Sequence, residues 1–537
     1  MAAGCRLAAA MVATIVTLSV SAQPNSVAPR PKLVVGIMVD GMSMDYIELL
    51  KCYFGEDGLK RVLNQGVTLT DIDYGTPLDR TASTAMIYTG AEPSVSGIGS
   101  AHHYDRDTHR LMPVFFKGEN PGDFSDETYS PEAMMVSTLT DELKIDGGGL
   151  GYAHTIAPDP LQAIAMAGHT SNSAYWINDV SGKWVTSSYY QERPNAMQYH
   201  NRTNPVSSRL DTLAWTPSMS VDRYPDIPSF RRAYPFSIRF QRSDPNRYRL
   251  YKQSPSVNAE VTELATDYLT TLKLGQHEAI DMLNLSYTVQ PYMSGKDADN
   301  KLEVMDGYIK LDRDLAKLFS AIDAGPGMEN TLVFIAGTPV APRTRRDEEK
   351  WNVPHGEFST RRAISLLNMY LIAKFGNGEW VSGYHDNQFF LNHNLVKERG
   401  EDLNNLRVET ARFLNRMAGV TYSYTIDDIL DGKVHHNSAA LQRNTHYDTC
   451  GDVFVTIAPG WEVVDDFNPV NAGNTNAGNH LVERVAFSTA PAFLLGAGLK
   501  PEVIEIPVDA RVVAPTVAGL LRIRSPNGAS VAPLRLR

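Results

Sequence analysis

"KLVVGIMVD", residues 32–40, decides the fold. Leu33, Val34, Val35, Ile37, Met38 and Val39 are apolar without a break for a solvated face. Such a run reads as a strand buried on both sides, the habit of a central parallel strand. Its last residue, Asp40, sets a carboxylate at the strand's carboxyl end. In open α/β sheets that is the edge where ligands bind.

Working outward, apolar strands alternate with helical patterns. Helices are expected over 44–64, with Tyr46, Leu49, Leu50 and Leu59 on one face, and over 81–89. Short strands are expected at 164–168, 174–177 and 184–187, then a helix over 261–272 and a strand over 279–287. In the stretch 302–322, Val304, Tyr308, Leu311, Leu315, Leu318 and Ile322 recur at three- and four-residue steps, an amphipathic helix. "TLVFIAGTP" (331–339) is a strand that ends on a Gly-Thr-Pro corner. Further strands fit 366–372, 453–457 and 492–495, with a helix over 406–417. The alternation predicts an α/β fold: a doubly wound, mostly parallel sheet with helices on both faces. Residues 189–250 break the pattern. Rich in Arg, Tyr, Pro, Ser and Asn, they read as an inserted cap.

The chain has 537 residues, 43% of them hydrophobic and 21% charged, which is globular composition. The net charge of −11 argues against a nucleic-acid binder, which carries a basic balance or stripe. Arg6 precedes LAAAMVATIVTLSV (7–20), and Ser21-Ala22 follows. That is the form of a signal peptide over 1–22, with a Pro/Ser linker over 23–31 and one domain over 32–537. We therefore expect secretion across the inner membrane, to the periplasm or beyond. After Gln23 no window approaches the roughly 18 apolar residues of a membrane helix. Two cysteines remain after cleavage, Cys52 and Cys450. An oxidising compartment permits their disulfide, but nothing in the sequence brings them together, and two separate thiols fit equally well.

Several stretches together resemble the alkaline phosphatase superfamily: KLVVGIMVDGM (32–42), IYTG (87–90) with PSVSGI (93–98), AGHTSNSAYWIN (167–178) and YIKLDRDLAKLF (308–319). The closest likeness is to the phosphate-irrepressible alkaline phosphatases of Bacteroidota, over about 32 to the C-terminus. The resemblance implies an alkaline-phosphatase-like sheet with an inserted cap. It also implies two-metal phosphoryl transfer, in which two zinc ions held by Asp and His activate a Thr or Ser.

Checked residue by residue, this chain departs from that chemistry. Asp40 stands where the family's first carboxylate ligand does. Counting back from Gly90, the nucleophile's place falls on Arg80, and a one-residue gap brings in Thr81, with Ser83 and Thr84 nearby. The Asp-x-x-x-His pair falls on Pro291 and Gly295. The Asp-His-Gly of the next strand end falls on Gly337, Thr338 and Pro339. His480 keeps the place of the last His ligand. The family's Asn is replaced by Ala101, and its phosphate-binding Lys-x-Arg by Asp159 and Leu161. Asp40 and His480 are thus vestigial metal ligands and Thr81 a vestigial nucleophile.

Three functions stay open. The first is a secreted pseudoenzyme without cofactor that binds protein partners in the cell envelope. The second is a zinc-dependent phosphatase or phosphodiesterase with a rebuilt metal site, Thr81 attacking. The third is a carbohydrate- or nucleotide-binding protein that keeps the pocket. Replacement ligands would come from AHHYDRDTH (101–109), with His102, His103, Asp105, Asp107 and His109, or from His435, His436 and His446. The run RTRRDEEK (343–350) and the Arg/Tyr-rich 231–251 read as solvated loop and cap packing, or as partner surfaces. GNTNAGN (473–479) reads as a flexible turn.

Overall fold

The computed structural model describes residues 30–536 apart from 77, 120, 124, 126, 293–299, 340–353, 435–437, 459, 468–479 and 483–488. The expected leader and most of its linker lie outside the described residues, as do 343–350, 473–479, Gly295, His435 and His436.

The opening run forms strand β1 (Leu33–Asp40), buried at every position. In chain order there follow β2 (Val67–Asp73), β3 (Ala153–Ile156), β4 (Ser173–Ile177), β5 (Asp281–Thr288), β6 (Thr331–Gly337) and β7 (Thr489–Gly496). Their order across the sheet is β2-β7-β6-β1-β5-β3-β4. β6, β1, β5, β3 and β4 are mutually parallel, while β7 runs against both β6 and β2. The register sets Asp40 beside Thr288 and Val39 beside Gly337. Three strands therefore end at one place.

Helices α1 (Arg80–Thr89) and α2 (Pro160–Ala167) cover one face, and α3 (Asn258–Thr271) and α4 (Lys301–Ala324) the other. Side-chain alternation divides β1 between them: Val35, Ile37 and Val39 join the α3/α4 core, and Val34 and Met38 the α1/α2 core. Gly36 faces α1. A Cβ there would meet the Tyr88 hydroxyl and the Phe334 ring, so glycine is what lets Tyr88 reach Asn284 Oδ1 at 3.0 Å.

Three expected elements differ. Residues 164–168 are not a strand but the end of α2 and its C-cap Gly168; the helix is buried all round, and its short apolar run carries no visible period. Residues 366–372 lie in α5 (Thr360–Phe375). There Ala363, Ile364, Leu367 and Leu371 form the buried face, while Leu366, Met369 and Ile372 stay 38%, 63% and 37% exposed and fill the pattern out to a strand-like run. The helix expected over 44–64 breaks into Met44–Leu50 and Leu59–Gln65. The Asp312 carboxylate on α4 captures the amides of Gly55 and Leu59, each at 2.8 Å, and ends the helical path between them. No described helix is long and apolar enough to cross a membrane. Cys52 is exposed and Cys450 buried, and both are free thiols.

Residues 189–250 form short helices, among them Asn195–Thr203, Val206–Thr212 and Arg247–Lys252, laid over α3 and α4. Their anchor is Asp306, fully buried on α4. It accepts from Trp215 Nε1 and the Ser218 amide at 2.6 Å and from the Tyr224 hydroxyl at 2.7 Å. Beyond the expected cap the chain carries a second lobe that no sequence signal separated. The antiparallel strands Val381–His385, Gln388–Leu391, Val453–Ile457 and Val420–Thr425 pack against α5 and α6 (Leu403–Leu414) around their own core.

Replacing Asp306 by Ala strands two buried side-chain donors and the half-buried Ser218 amide, and a loss on the order of 3 kcal/mol is expected. Urea unfolding measures it, and limited proteolysis should cut first within 189–250. A change near zero would mean that the cap is held elsewhere.

Candidate functional site

At the carboxyl end of β1, Asp40 is 2% exposed and both its oxygens are engaged. Oδ1 accepts from Gln162 Nε2 at 2.8 Å and from the Thr338 hydroxyl at 3.4 Å. Oδ2 lies 3.7 Å from Arg80 Nη1. Arg80 is the first residue of α1, placed there because the Asp79 side chain caps the helix by accepting from the Ala82 amide at 2.9 Å. Its other nitrogen, Nη2, pairs with Asp159. Asp159 in turn caps α2, accepting from the amides of Leu161 and Gln162 at 3.0 and 3.2 Å. Gln162 completes the ring: Nε2 also reaches Thr84 Oγ1 at 3.2 Å, and Oε1 accepts from Ser286 at 2.6 Å.

One guanidinium thus sits between two carboxylates, with its side chain 38% exposed at the sheet's edge. Burial pushes Asp40 up to about 6, against the pull of Arg80 and Gln162. For Asp159 burial acts in the same sense, but Arg80, Lys252 and the two amides outweigh it and hold the carboxyl below its ordinary range.

The expected site residues divide sharply. Asp40, Arg80, Asp159 and Thr338 meet; Thr81 does not join them. It is fully buried in α1, and its hydroxyl has no hydrogen-bond partner among the described residues. Ser83 is buried likewise, and Thr84 donates to the Arg80 carbonyl at 2.6 Å. Ala101 gives its amide to Asp79. Leu161 is buried in α2. Pro291 is placed just after β5, and its partner position 295 is outside the described residues. His480 opens a short strand, His480–Val482, paired with Val464, and its side chain is likewise outside them.

The His/Asp-rich 101–109 forms a β-hairpin, His102–Asp105 with Arg110–Pro113. Strand alternation turns His102 away from His103 and Asp105. Asp105 serves the turn, accepting from the Asp107 amide at 2.9 Å and from Thr108 Oγ1 at 2.6 Å. The residue that matters in this run is one the sequence reading passed over, Arg106. It reaches the second lobe, donating to Asp452 Oδ2 at 2.9 Å and to the Cys450 carbonyl at 2.8 Å, and it stacks 5.2 Å over Phe390. Tyr104 adds a bond to the Ser382 carbonyl at 2.6 Å. In return, the tip of the lobe's first hairpin comes to the mouth of the site. Asp386 and Asn387, both at positive φ (49° and 60°), form its two-residue turn. His385 Nε2 lies 3.0 Å from the His102 carbonyl oxygen and 3.5 Å from Ser100 Oγ. Burial, with His385 beside it, holds His102 below the usual imidazole range.

Over residues 34–481 the chain matches the family described as type I phosphodiesterase / nucleotide pyrophosphatase. It is 25% identical over 544 residues to the alkaline phosphatase PafA of Elizabethkingia meningoseptica, covering 97% of each chain. It is 26% identical over 532 residues to a calcium-transporting ATPase of Myroides odoratus, covering 94% of each. The crystal structure of wild-type PafA matches with a TM-score of 0.81 at 23% identity, covering 94% of this chain and 98% of that one. The last likeness shows the fold, an alkaline-phosphatase-like sheet.

Because Asp40 binds its proton more tightly in the folded chain, it stabilises the fold when protonated and loses that contribution as pH rises from about 4 to about 6. Wild-type protein is expected to lose on the order of 3 kcal/mol relative to Asp40→Asn across that window, from a shift near two pKa units. Parallel urea curves at pH 4 and 7 check it. Equal slopes for the two proteins would show Asp40 to be an ordinary carboxylate.

Proposed function

The chain belongs to the type I phosphodiesterase / nucleotide pyrophosphatase family, and we propose that it is a member without metal-dependent phosphoryl transfer, serving as a binding or scaffolding component of the cell envelope. The observation that carries this reading is the Arg80 guanidinium between Asp40 and Asp159. A fixed side-chain cation supplies the counter-charge that the resemblance assigns to a metal ion.

The donor set supports it. Zinc is held by carboxylate, imidazole or thiolate, three or four to an ion. Asp40 Oδ1 accepts from Gln162 and Thr338, Oδ2 faces the Arg80 guanidinium, and the other carboxylate nearby, Asp159, is held by that same guanidinium. These residues do not fit a zinc ion. The rival reading needs a rebuilt site, but no three His, Cys, Asp or Glu among the described residues are grouped to hold a metal. It also needs Thr81 to reach a substrate, and Thr81 is fully buried. Export is supported by the basic-then-apolar start of the chain. A role in binding is supported by the cap, where Tyr199, Phe230 and Tyr234 are 60%, 57% and 80% exposed. Phe230 lies in the short helix Ser229–Ala233, and Tyr234 follows directly at its end.

Dialysed against excess zinc and then freed of loose metal, the protein is expected to retain far less than about one zinc per chain. It should also turn over neither a phosphate monoester nor a diester above buffer. Close to two zinc per chain, with turnover abolished by Thr81→Ala, would overturn the proposal and restore the family's chemistry.

A further inference from the structure

Apart from the Asp40 network, a cavity of about 120 Å³ opens between the end of β2, α1 and the helix Ser438–Asn444. Its floor is apolar, with Tyr74 and Met86 both buried. Its charged groups fall into two kinds. Arg511 is fully engaged: Nε and Nη2 donate to Asp509, and Nη1 to Glu92 at 2.6 Å. Arg443 is not. Its Nε donates to the Ala439 carbonyl of its own helix at 3.3 Å, and neither Nη atom has a hydrogen-bond partner among the described residues. Asp73 is half engaged: Oδ1 accepts from the Gly75 amide at 2.7 Å, and Oδ2 has no such partner there. Gly75, at φ +80°, keeps the space before Arg443 clear, since a Cβ would stand 3.4 Å from Nη2.

One guanidinium whose Nη atoms have no hydrogen-bonded acceptor, though its charge reaches Asp509, and one carboxylate oxygen without a donor thus line a single small cavity without pairing with each other. We infer that this cavity binds a small zwitterion, whose carboxylate meets Arg443, with the Asn444 amide beside it, and whose ammonium meets Asp73. A guanidinium fork facing a carboxylate is a charge-assisted pair of the strong kind. A plain anion fits less well, because three carboxylates (Asp73, Glu92, Asp509) face two guanidinium groups around the cavity. A plain cation leaves Arg443 without an acceptor. The cavity, about 120 Å³, has room for a small amino acid such as glycine or alanine. This inference stands apart from the reading of the Asp40 site.

Isothermal titration of the full protein with glycine tests it, with acetate and methylammonium as separate comparators. Saturable glycine binding is expected, with each comparator weaker by about tenfold or more. Arg443→Gln and Asp73→Asn should each weaken glycine by a similar factor while leaving thermal melting of the free protein unchanged. No saturable heat with glycine up to about 10 mM, acetate bound as tightly as glycine, or unchanged glycine affinity in both variants would overturn the inference. Should a variant fail to fold, the comparison of ligands on the wild-type protein decides alone.

Discussion

A carboxylate buried at the end of a central strand must find a counter-charge or surrender its own, because an unpaired buried charge costs several kcal/mol. Asp40 is in that position, and the layout of the site follows from how it is answered. The answering cation, Arg80, has to start a helix, so α1 needs its cap at Asp79. The cation is shared with Asp159, which caps α2. The first turn of α2 then delivers Gln162, which closes the ring onto β5 through Ser286. One charge thereby fixes two helix starts and three strand ends relative to one another.

The fold was largely legible because its evidence is local and repetitive. An unbroken apolar run such as 33–39 has few alternatives, and the stripe of α4 announces itself over six turns. Legibility failed where tertiary context supplies what the pattern lacks. α5 exposes three large apolar residues and so hides its period, and the helix over 44–64 is cut by an acid that lies more than 250 residues away in the chain. For α2 the signal was present and unused: an Asp-Pro pair is a helix start, with the acid as cap and proline at the first turn. The second lobe went unseen because its strands are short and its boundaries lack a linker signature.

The site was legible as a pattern of losses. Flanking identity located Asp40, Arg80, Asp159 and Thr338, but whether Arg80 or Thr81 faces the acids depends on where the helix begins, and a count of residues cannot fix that. Gln162 and Ser286 carry no motif; only the fold brings them together. Arg106 was hidden by its neighbours, since imidazoles and carboxylates on a hairpin draw attention as ligands while the arginine among them does the docking. Each added part is fastened in one way, by a buried acid that collects donors from another segment. Asp306 holds the cap, Glu260 gathers His200, Trp184 and Arg209, and Asp452 gathers Arg106, His393 and Arg407. Such joints tolerate loss of a partner poorly, because what remains is an acid without its donors or donors without their acid.

The joint between Arg106 and Asp452 also sets a timetable. Its partners are 346 residues apart, and the contact of His385 with His102 spans 283. At ribosomal speeds of 5–20 residues per second, roughly 20–70 s separate the appearance of Arg106 from that of Asp452. For most of that interval Tyr104 lacks the Ser382 carbonyl and the Phe390 ring that later pack on it, and Arg106 lacks Asp452 to its end. The rim of this site therefore cannot close until Asp452 has been made, and β7 and the segments that follow it are added later still.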